Sequence, residues 1–167
     1  MATGLWREAG VPHKGWRCVD MEDLRADDPE AELDICDMCR VQEIRYVHQM
    51  RHPDYPQQLA VGCVCAEKME DDYQAPRRRE APLRSRAARR AKWLKLKWRR
   101  SARGNDFIKV DGYRVTVFPI TRAGKTGWGG IIVDEANDKT TRARKVHPSP
   151  DAAKLAAFDT IEIFRNR

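Results

Sequence analysis

The sequence lacks any long apolar run. None of its 167 residues falls in a stretch of about 20 apolar residues, which is the length that a helix needs to cross a bilayer. The opening stretch, MATGLWREAGVPHKGW, also lacks the apolar segment of a secretory signal. We therefore expect a cytoplasmic protein that does not enter a membrane.

The common signatures of catalysis are also missing. The string GKTGWGG at residues 124–130 lacks the upstream glycine and the spacing of a phosphate-binding loop. We find no Ser-His-Asp arrangement and no pair of carboxylates in an apolar setting. These absences predict a protein without enzymatic activity of its own.

Charge is plentiful but unevenly distributed. The chain has 32 basic and 25 acidic residues, for a net charge of +7. Residues 20–37 are acidic, with Arg25 the only basic residue, whereas residues 77–103 are basic, with Glu80 the only acidic residue. Such a division predicts an acidic segment near the start of the chain and a basic segment suited to a polyanion.

Four of the five cysteines lie in one short stretch. In a reducing compartment such clusters indicate metal binding more often than disulfides. Cys36 and Cys39 have the Cys-x-x-Cys spacing of a zinc knuckle, and Cys63 and Cys65 follow with one residue between them. We predict that these four thiolates bind one Zn²⁺ ion in a closed, structural site, which leaves no position open for catalysis.

Other assignments of this stretch stay open. His48 or His52 could replace Cys63, since a neutral imidazole is an equally good zinc ligand. A metal-free chain is a further alternative, as is a redox role for the first cysteine pair.

The order of knuckle, hairpin and helix over residues 35–69 resembles the treble-clef class of zinc fingers. That resemblance implies one zinc ion held between the knuckle and the first turn of the helix. The sequence departs from the usual pattern because the second pair is Cys-x-Cys. Some nucleases use such a frame, so a metal-dependent nuclease is a less favoured alternative. They need an Asp-His or His-His pair on the hairpin, which here reads YVHQMRHPDY, and an Asn and a His on the helix, which CAEKMEDDY lacks.

A long basic helix is predicted from about Pro82 to Ala102, because apolar residues recur there every three or four positions. Its like charges repel unless an anion compensates them, and phosphate backbones do so. The alternative is a protein-interaction subunit of a larger complex, in which the helix fits an acidic groove. The residues predicted to contact DNA or RNA, with Trp93 as a base-stacking candidate, are Arg84, Arg86, Arg89, Arg90, Lys92, Trp93, Lys95, Lys97, Arg99 and Arg100.

The last third of the chain predicts a small antiparallel sheet covered by a helix. Alternating strand residues flank Asp111-Gly112, the pair that fits a tight primed turn. One or two further strands follow, and Ser149 is the predicted N-cap of a final helix. This arrangement faintly resembles the double-stranded-RNA-binding domain, whose last helix has an Ala-Lys-x-x-Ala pattern.

Together these features predict an α+β, zinc-binding, nucleic-acid-binding protein. Its predicted parts are an acidic segment (1–34), a treble-clef-like zinc module (35–75), a basic helix (76–103) and a sheet-plus-helix domain (104–167).

Overall fold

The computed structural model describes residues 3–167 of the chain. These residues contain three antiparallel sheets and three α-helices. The prediction of a mixed α+β protein is confirmed. The strands are β1 (Arg17–Asp23), β2 (Asp34–Ile35), β3 (Glu43–Ile44), β4 (Tyr46–His52), β5 (Tyr55–Val61), β6 (Arg99–Arg100), β7 (Asp106–Val110), β8 (Tyr113–Arg122), β9 (Lys125–Asp134) and β10 (Lys139–Arg142). The helices are α1 (Cys63–Glu70), α2 (Ala75–Trp93) and α3 (Pro150–Arg165). Among the described residues, no helix has both the length and the apolar character that a membrane crossing requires.

The chain divides into two compact units, the first ending at Ala87 and the second beginning at Ala88, within α2. In the first unit, β1, β4 and β5 form an antiparallel sheet. Apolar residues of β4 and β5, such as Met50 and Leu59, are buried in a core that also receives Met69 of α1. The short strands β2 and β3 pair with each other. The predicted order of knuckle, hairpin and helix is therefore present.

The start of the basic helix differs from the prediction. Helix α2 begins at Ala75, seven residues before the predicted start, and Pro82 lies inside it. The Asp72 carboxylate accepts hydrogen bonds from the backbone N–H groups of Gln74 and Ala75, at 2.8 and 3.0 Å. These bonds satisfy donors that the first helical turn leaves without intrahelical partners. Local capping therefore sets the start of the helix, and the later proline does not.

The predicted end of the basic helix is also wrong. Helix α2 ends at Trp93. The segment 94–103 is therefore not helical, although it contains neither proline nor glycine. Trp98 Nε1 donates a hydrogen bond to the Trp93 carbonyl at 3.1 Å and so satisfies one of the free carbonyls at the helix end. Strand β6 then pairs with β7. Tertiary pairing thus overrides local helix propensity.

The second unit contains a five-stranded sheet in the order β10-β9-β8-β7-β6, with α3 packed against it. The predicted tight turn is confirmed, because Asp111 and Gly112 have φ values of 49° and 79°. The predicted N-cap is confirmed as well, since Ser149 Oγ accepts a 3.1 Å hydrogen bond from the Ala152 N–H. Buried residues of β8 and α3, Val115 and Phe158 among them, form the core.

Candidate metal centres and cationic segment

Three of the four predicted zinc ligands come together in the first unit. The Sγ atoms of Cys36, Cys39 and Cys65 all lie within 4.8 Å of one another. Thiolates bound to one tetrahedral zinc ion are about 3.8 Å apart, because each Zn–S bond is about 2.3 Å long. Small shifts of the side chains would bring the three sulfurs onto one ion. The donor set therefore fits zinc.

The knuckle that positions Cys36 and Cys39 is a tight turn between β2 and β3. The Cys36 N–H donates to the Gln42 carbonyl at 2.8 Å, and the Arg40 N–H donates to the Cys36 carbonyl at 2.7 Å. Arg40 closes the turn with a positive φ of 58°. Asp37 ties this turn to β5 by two hydrogen bonds with the backbone N–H and carbonyl of Ala60. The Cys-x-x-Cys turn is thus held by its backbone as well as by any metal.

The thiols of Cys36 and Cys65 lie close enough to shift each other's pKa. Interaction with the Cys65 thiol lowers the pKa of Cys36, and backbone N–H groups, two of them in the turn, act in the same direction. Interaction with Cys36, together with burial, raises the pKa of Cys65. A cation at this point would favour the thiolate form of both, since metal ligands bind as thiolates.

The beginning of the described chain covers this cysteine group. Thr3 Oγ1 donates a 2.9 Å hydrogen bond to the Cys39 carbonyl. Gly4, with a φ of 64°, lies so close that a Cβ there would be 2.7 Å from the Cys39 carbonyl. Trp6 packs against the core that includes Cys36 and Cys65. Cys36 is fully buried and Cys65 is 5% exposed, whereas Cys39 is half-buried, so the group is largely shielded from solvent.

Cys63, the fourth predicted ligand, is not part of this group. Cys63 and Cys65 both lie in the first turn of α1. Residues two apart on a helix point roughly 200° away from each other, because each residue turns the helix by about 100°. Their side chains therefore lie on different faces. Among residues 3–167, no fourth Cys, His, Asp or Glu joins the other three cysteines.

Cys63 instead belongs to a second group. One nitrogen of His48, the Cys63 sulfur and one oxygen of Glu80 lie within 4.8 Å of one another. His48 Nε2 is 3.0 Å from Glu80 Oε2, and both side chains are buried. The residues come from β4, the start of α1 and the second turn of α2. Glu80, the one acidic residue in the basic stretch, thus contacts a buried histidine of β4.

Two carboxylates, those of Glu67 and Glu80, lie near the Cys63 sulfur. Glu67, one turn along α1, has its Oε1 atom 3.7 Å from the Cys63 sulfur and accepts a 2.6 Å hydrogen bond from Arg77. Burial, followed by the charges of Glu80 and Glu67, raises the pKa of Cys63 to about 11. Without a cation, Cys63 is therefore a protonated thiol at neutral pH and a weak nucleophile.

The other histidine considered as a ligand is used elsewhere. His52 Nδ1 accepts a 3.0 Å hydrogen bond from the Asp54 N–H. Its ring lies 5.4 Å from that of Trp16. His52 belongs to neither group, whereas His48 belongs to the second one.

Comparisons with protein families, with curated proteins and with solved structures found no match to this chain. The two resemblances therefore rest on sequence motifs alone.

Most arginines predicted to contact nucleic acid form ion pairs within their own unit. In the first unit, Arg84 pairs with Glu80 and Arg86 lies 3.7 Å from Asp27. In the second unit, the carboxylate partners are Glu162 for Arg89, Asp159 for Arg90 and Asp106 for Arg100. These contacts, together with those of Arg77 and Arg79, neutralise much of the charge of α2.

Four predicted cations behave differently. Lys92, Lys95, Lys97 and Arg99 are exposed, and no ion pair involving them occurs in the described part of the chain. They lie in the last turn of α2, in the segment that follows it and at the first position of β6. This cationic segment, residues 92–99, is the part of the predicted interface that stays available to a polyanion.

Trp93 is not available as a base-stacking platform. It is 4% exposed and packs against Phe158 and Trp98, at ring distances of 5.4 and 5.7 Å. Its Nε1 donates a 2.7 Å hydrogen bond to the Lys154 carbonyl. Trp93 is a core residue of the second unit.

Proposed function

We propose that this chain is a zinc-binding protein that contacts the phosphate backbone of nucleic acid. Cys36, Cys39 and Cys65 bind the zinc ion, which stabilises a treble-clef-like module in the first unit. The cationic segment, residues 92–99, contacts the phosphates. No catalytic step is part of this proposal.

The charge of the chain divides at the boundary between its units. Residues 88–167 include 19 basic and 8 acidic residues, a balance of +11. Residues 1–87 include 13 basic and 17 acidic residues, a balance of −4. The net positive charge of the whole chain thus comes from the second unit. A domain with such an excess attracts polyanions in a manner that depends on salt.

The observation that carries the proposal is the exposure of Lys92, Lys95 and Lys97, none of which has an acidic partner among residues 3–167. Exposed like charges so close together repel one another, and phosphate groups relieve that repulsion. Binding then releases counterions from the nucleic acid, which favours the complex at low salt. The ion-paired arginines of α2 would have to break their contacts with carboxylates before they could contact phosphate.

The test compares two triple variants that lose the same charge. The first replaces Lys92, Lys95 and Lys97 by Gln. The control replaces the exposed cations Arg17, Lys68 and Arg78 of the first unit by Gln. Fluorescence anisotropy with duplex and single-stranded DNA and RNA, over a series of salt concentrations, gives the affinity and its salt dependence.

We expect the first variant to bind all sequences more weakly. Its slope of log affinity against log salt should become shallower by up to about 2 to 3, since each phosphate contact contributes roughly 0.7 to 0.9. The control should keep the slope of the parent. Equal slopes in all three proteins would contradict the proposal. If the first variant then lost a protein partner in a pull-down, the chain would be an interaction subunit.

A further inference from the structure

His48, Cys63 and Glu80 form a compact group that the cysteine site does not use. Their nitrogen, sulfur and oxygen atoms lie within 4.8 Å of one another. His48 is fully buried and Glu80 is 3% exposed. Three elements distant in sequence bring these donors together, so the group is a product of the fold and not of a local turn.

The donor set matches a borderline-soft divalent cation. Zinc accepts imidazole nitrogen, thiolate sulfur and carboxylate oxygen in one site. In the protein, the Cys63 sulfur faces the carboxylates of both Glu67 and Glu80. Arg77 pairs with Glu67 and Arg84 pairs with Glu80, and a cation between the three donors would compensate the remaining negative charge.

The ring of His48 is oriented toward the other two donors. Its Nε2 atom lies 3.0 Å from Glu80 Oε2, so Nε2 is the nitrogen that could bind a cation together with that carboxylate. His48 Nδ1, the other ring nitrogen, is buried and has no hydrogen-bond partner in the described structure.

A cavity of about 730 Å³ opens beside Cys63 and Glu80. Its walls include Tyr46 and the guanidinium groups of Arg45, Arg77 and Arg84. Three protein ligands beside an open cavity are typical of zinc sites that keep one coordination position for an external ligand. The three arginines in the wall each pair with a carboxylate of the first unit: Asp23, Glu67 or Glu80.

We propose that His48, Cys63 and Glu80 bind a second zinc ion, separate from the one at the cysteine group, and that its open position faces the neighbouring cavity. The two ions would lie on different faces of the first turn of α1. This site does not rest on nucleic-acid binding, and either proposal can fail without the other.

The test is a Co²⁺ titration of the full chain after its metal has been removed under reducing conditions. We expect about two Co²⁺ ions per chain, with a strong thiolate band from the three-cysteine site and a several-fold weaker one from the site with a single thiolate. Replacing Cys63 by Ser should halve the bound cobalt and remove only the weaker band. Cys18→Ser serves as the control, because Cys18 belongs to neither group.

Alkylation provides a measurement that needs no variant. Zinc should slow the reaction of Cys63 with iodoacetamide by about tenfold or more, as read by mass spectrometry, because a metal-bound thiolate is shielded. Binding of one Co²⁺ ion per chain by the parent, with that ion retained in Cys63→Ser, would overturn the proposal. Two ions in both the parent and Cys63→Ser would overturn it too, as would alkylation of Cys63 at the same rate with and without zinc.

Discussion

Trp93 illustrates how burial decides the role of a single residue. Its indole fills the space between Phe158 and Trp98, and its N–H group has a backbone partner. Two residues further on, Lys95 is exposed. The two residues share a basic sequence context, yet one stabilises the core of the second unit and the other is available to a ligand.

Replacing Trp93 by Ala should therefore lower stability before it affects binding. We expect a loss of about 3 to 5 kcal/mol in the free energy of unfolding, which is typical of truncating a large buried side chain. Urea unfolding followed by circular dichroism measures the change. Leu96→Ala is the control and should change stability by less than about 0.5 kcal/mol, because Leu96 is exposed. A fully stable Trp93→Ala protein with weaker single-strand binding would restore the stacking role.

Asp106 offers a pH-dependent prediction. Its carboxylate accepts a charged hydrogen bond from Lys154 at 2.8 Å, which lowers the pKa of Asp106 below its ordinary value, and Arg100 adds to the effect. A lowered pKa in the folded state adds stability above the unfolded value, about 3.9, and that stability is lost as the pH falls through the folded value.

Asp106→Asn should consequently cost about 1 to 3 kcal/mol at pH 7, as expected for a hydrogen bond between charged groups. The difference between variant and parent should shrink as the pH falls below about 4. Thermal unfolding over a pH series measures it. Asp54→Asn, at an exposed position, should show no such dependence. A difference that stayed constant down to pH 2 would exclude ionisation of Asp106 as the cause.

At the scale of elements, α2 is a basic helix whose charges are mostly compensated by the protein itself. Arg90 forms two hydrogen bonds with Asp159, at 3.1 and 3.2 Å, and Arg89 pairs with Glu162. Both acidic partners lie on α3. These ion pairs help to join the end of α2 to α3 within the second unit.

Removing one of these pairs should destabilise the protein more than removing an exposed charge from the same helix. Arg90→Gln should cost about 1 to 3 kcal/mol, because it leaves Asp159 partly buried without its bidentate partner. Lys92→Gln should change stability by less than about 0.5 kcal/mol. Chemical denaturation of both variants gives the comparison. Equal stability of the two variants would show that the Arg90 pair contributes no more than an exposed cation.

Local signals made several elements predictable. The turn at Asp111-Gly112, the cap at Ser149 and the Cys-x-x-Cys knuckle each depend on a few neighbouring residues, and the structure contains all three. The end of α2 depends instead on strand pairing with residues further along the chain, which periodicity cannot reveal. Cys63 and Cys65 point to different faces because they are two residues apart on a helix, and this spacing is visible in the sequence. The contact between His48 and Glu80 could not be predicted in this way, because the two residues are 32 positions apart.

For the whole molecule, the two cores differ in their relation to metal. The core of the first unit includes Cys36 and Cys65, whereas the core of the second unit contains no cysteine. Since structural zinc supplies folding free energy directly, only the first unit should depend on it.

Removing metal with a chelator should therefore speed hydrogen exchange in β4, β5 and α1 and leave β8, β9 and α3 unchanged. Cys65→Ser should reproduce the effect without the chelator. Exchange measured by mass spectrometry resolves both regions in one experiment, so the second unit serves as the internal control. Unchanged exchange throughout the chain, or zinc-free protein directly after purification under reducing conditions, would contradict the zinc site.

The two-residue spacing of Cys63 and Cys65 also has a consequence for how such a protein can diverge. One codon inserted between them would create a Cys-x-x-Cys pair, and three-residue spacing places both thiols on one side of a helix. The earlier cysteine would then leave His48 and Glu80 and complete a four-thiolate shell with the other three. For the two proposed sites, a single insertion would thus favour one ion held by four thiolates over two ions, one of which faces the cavity.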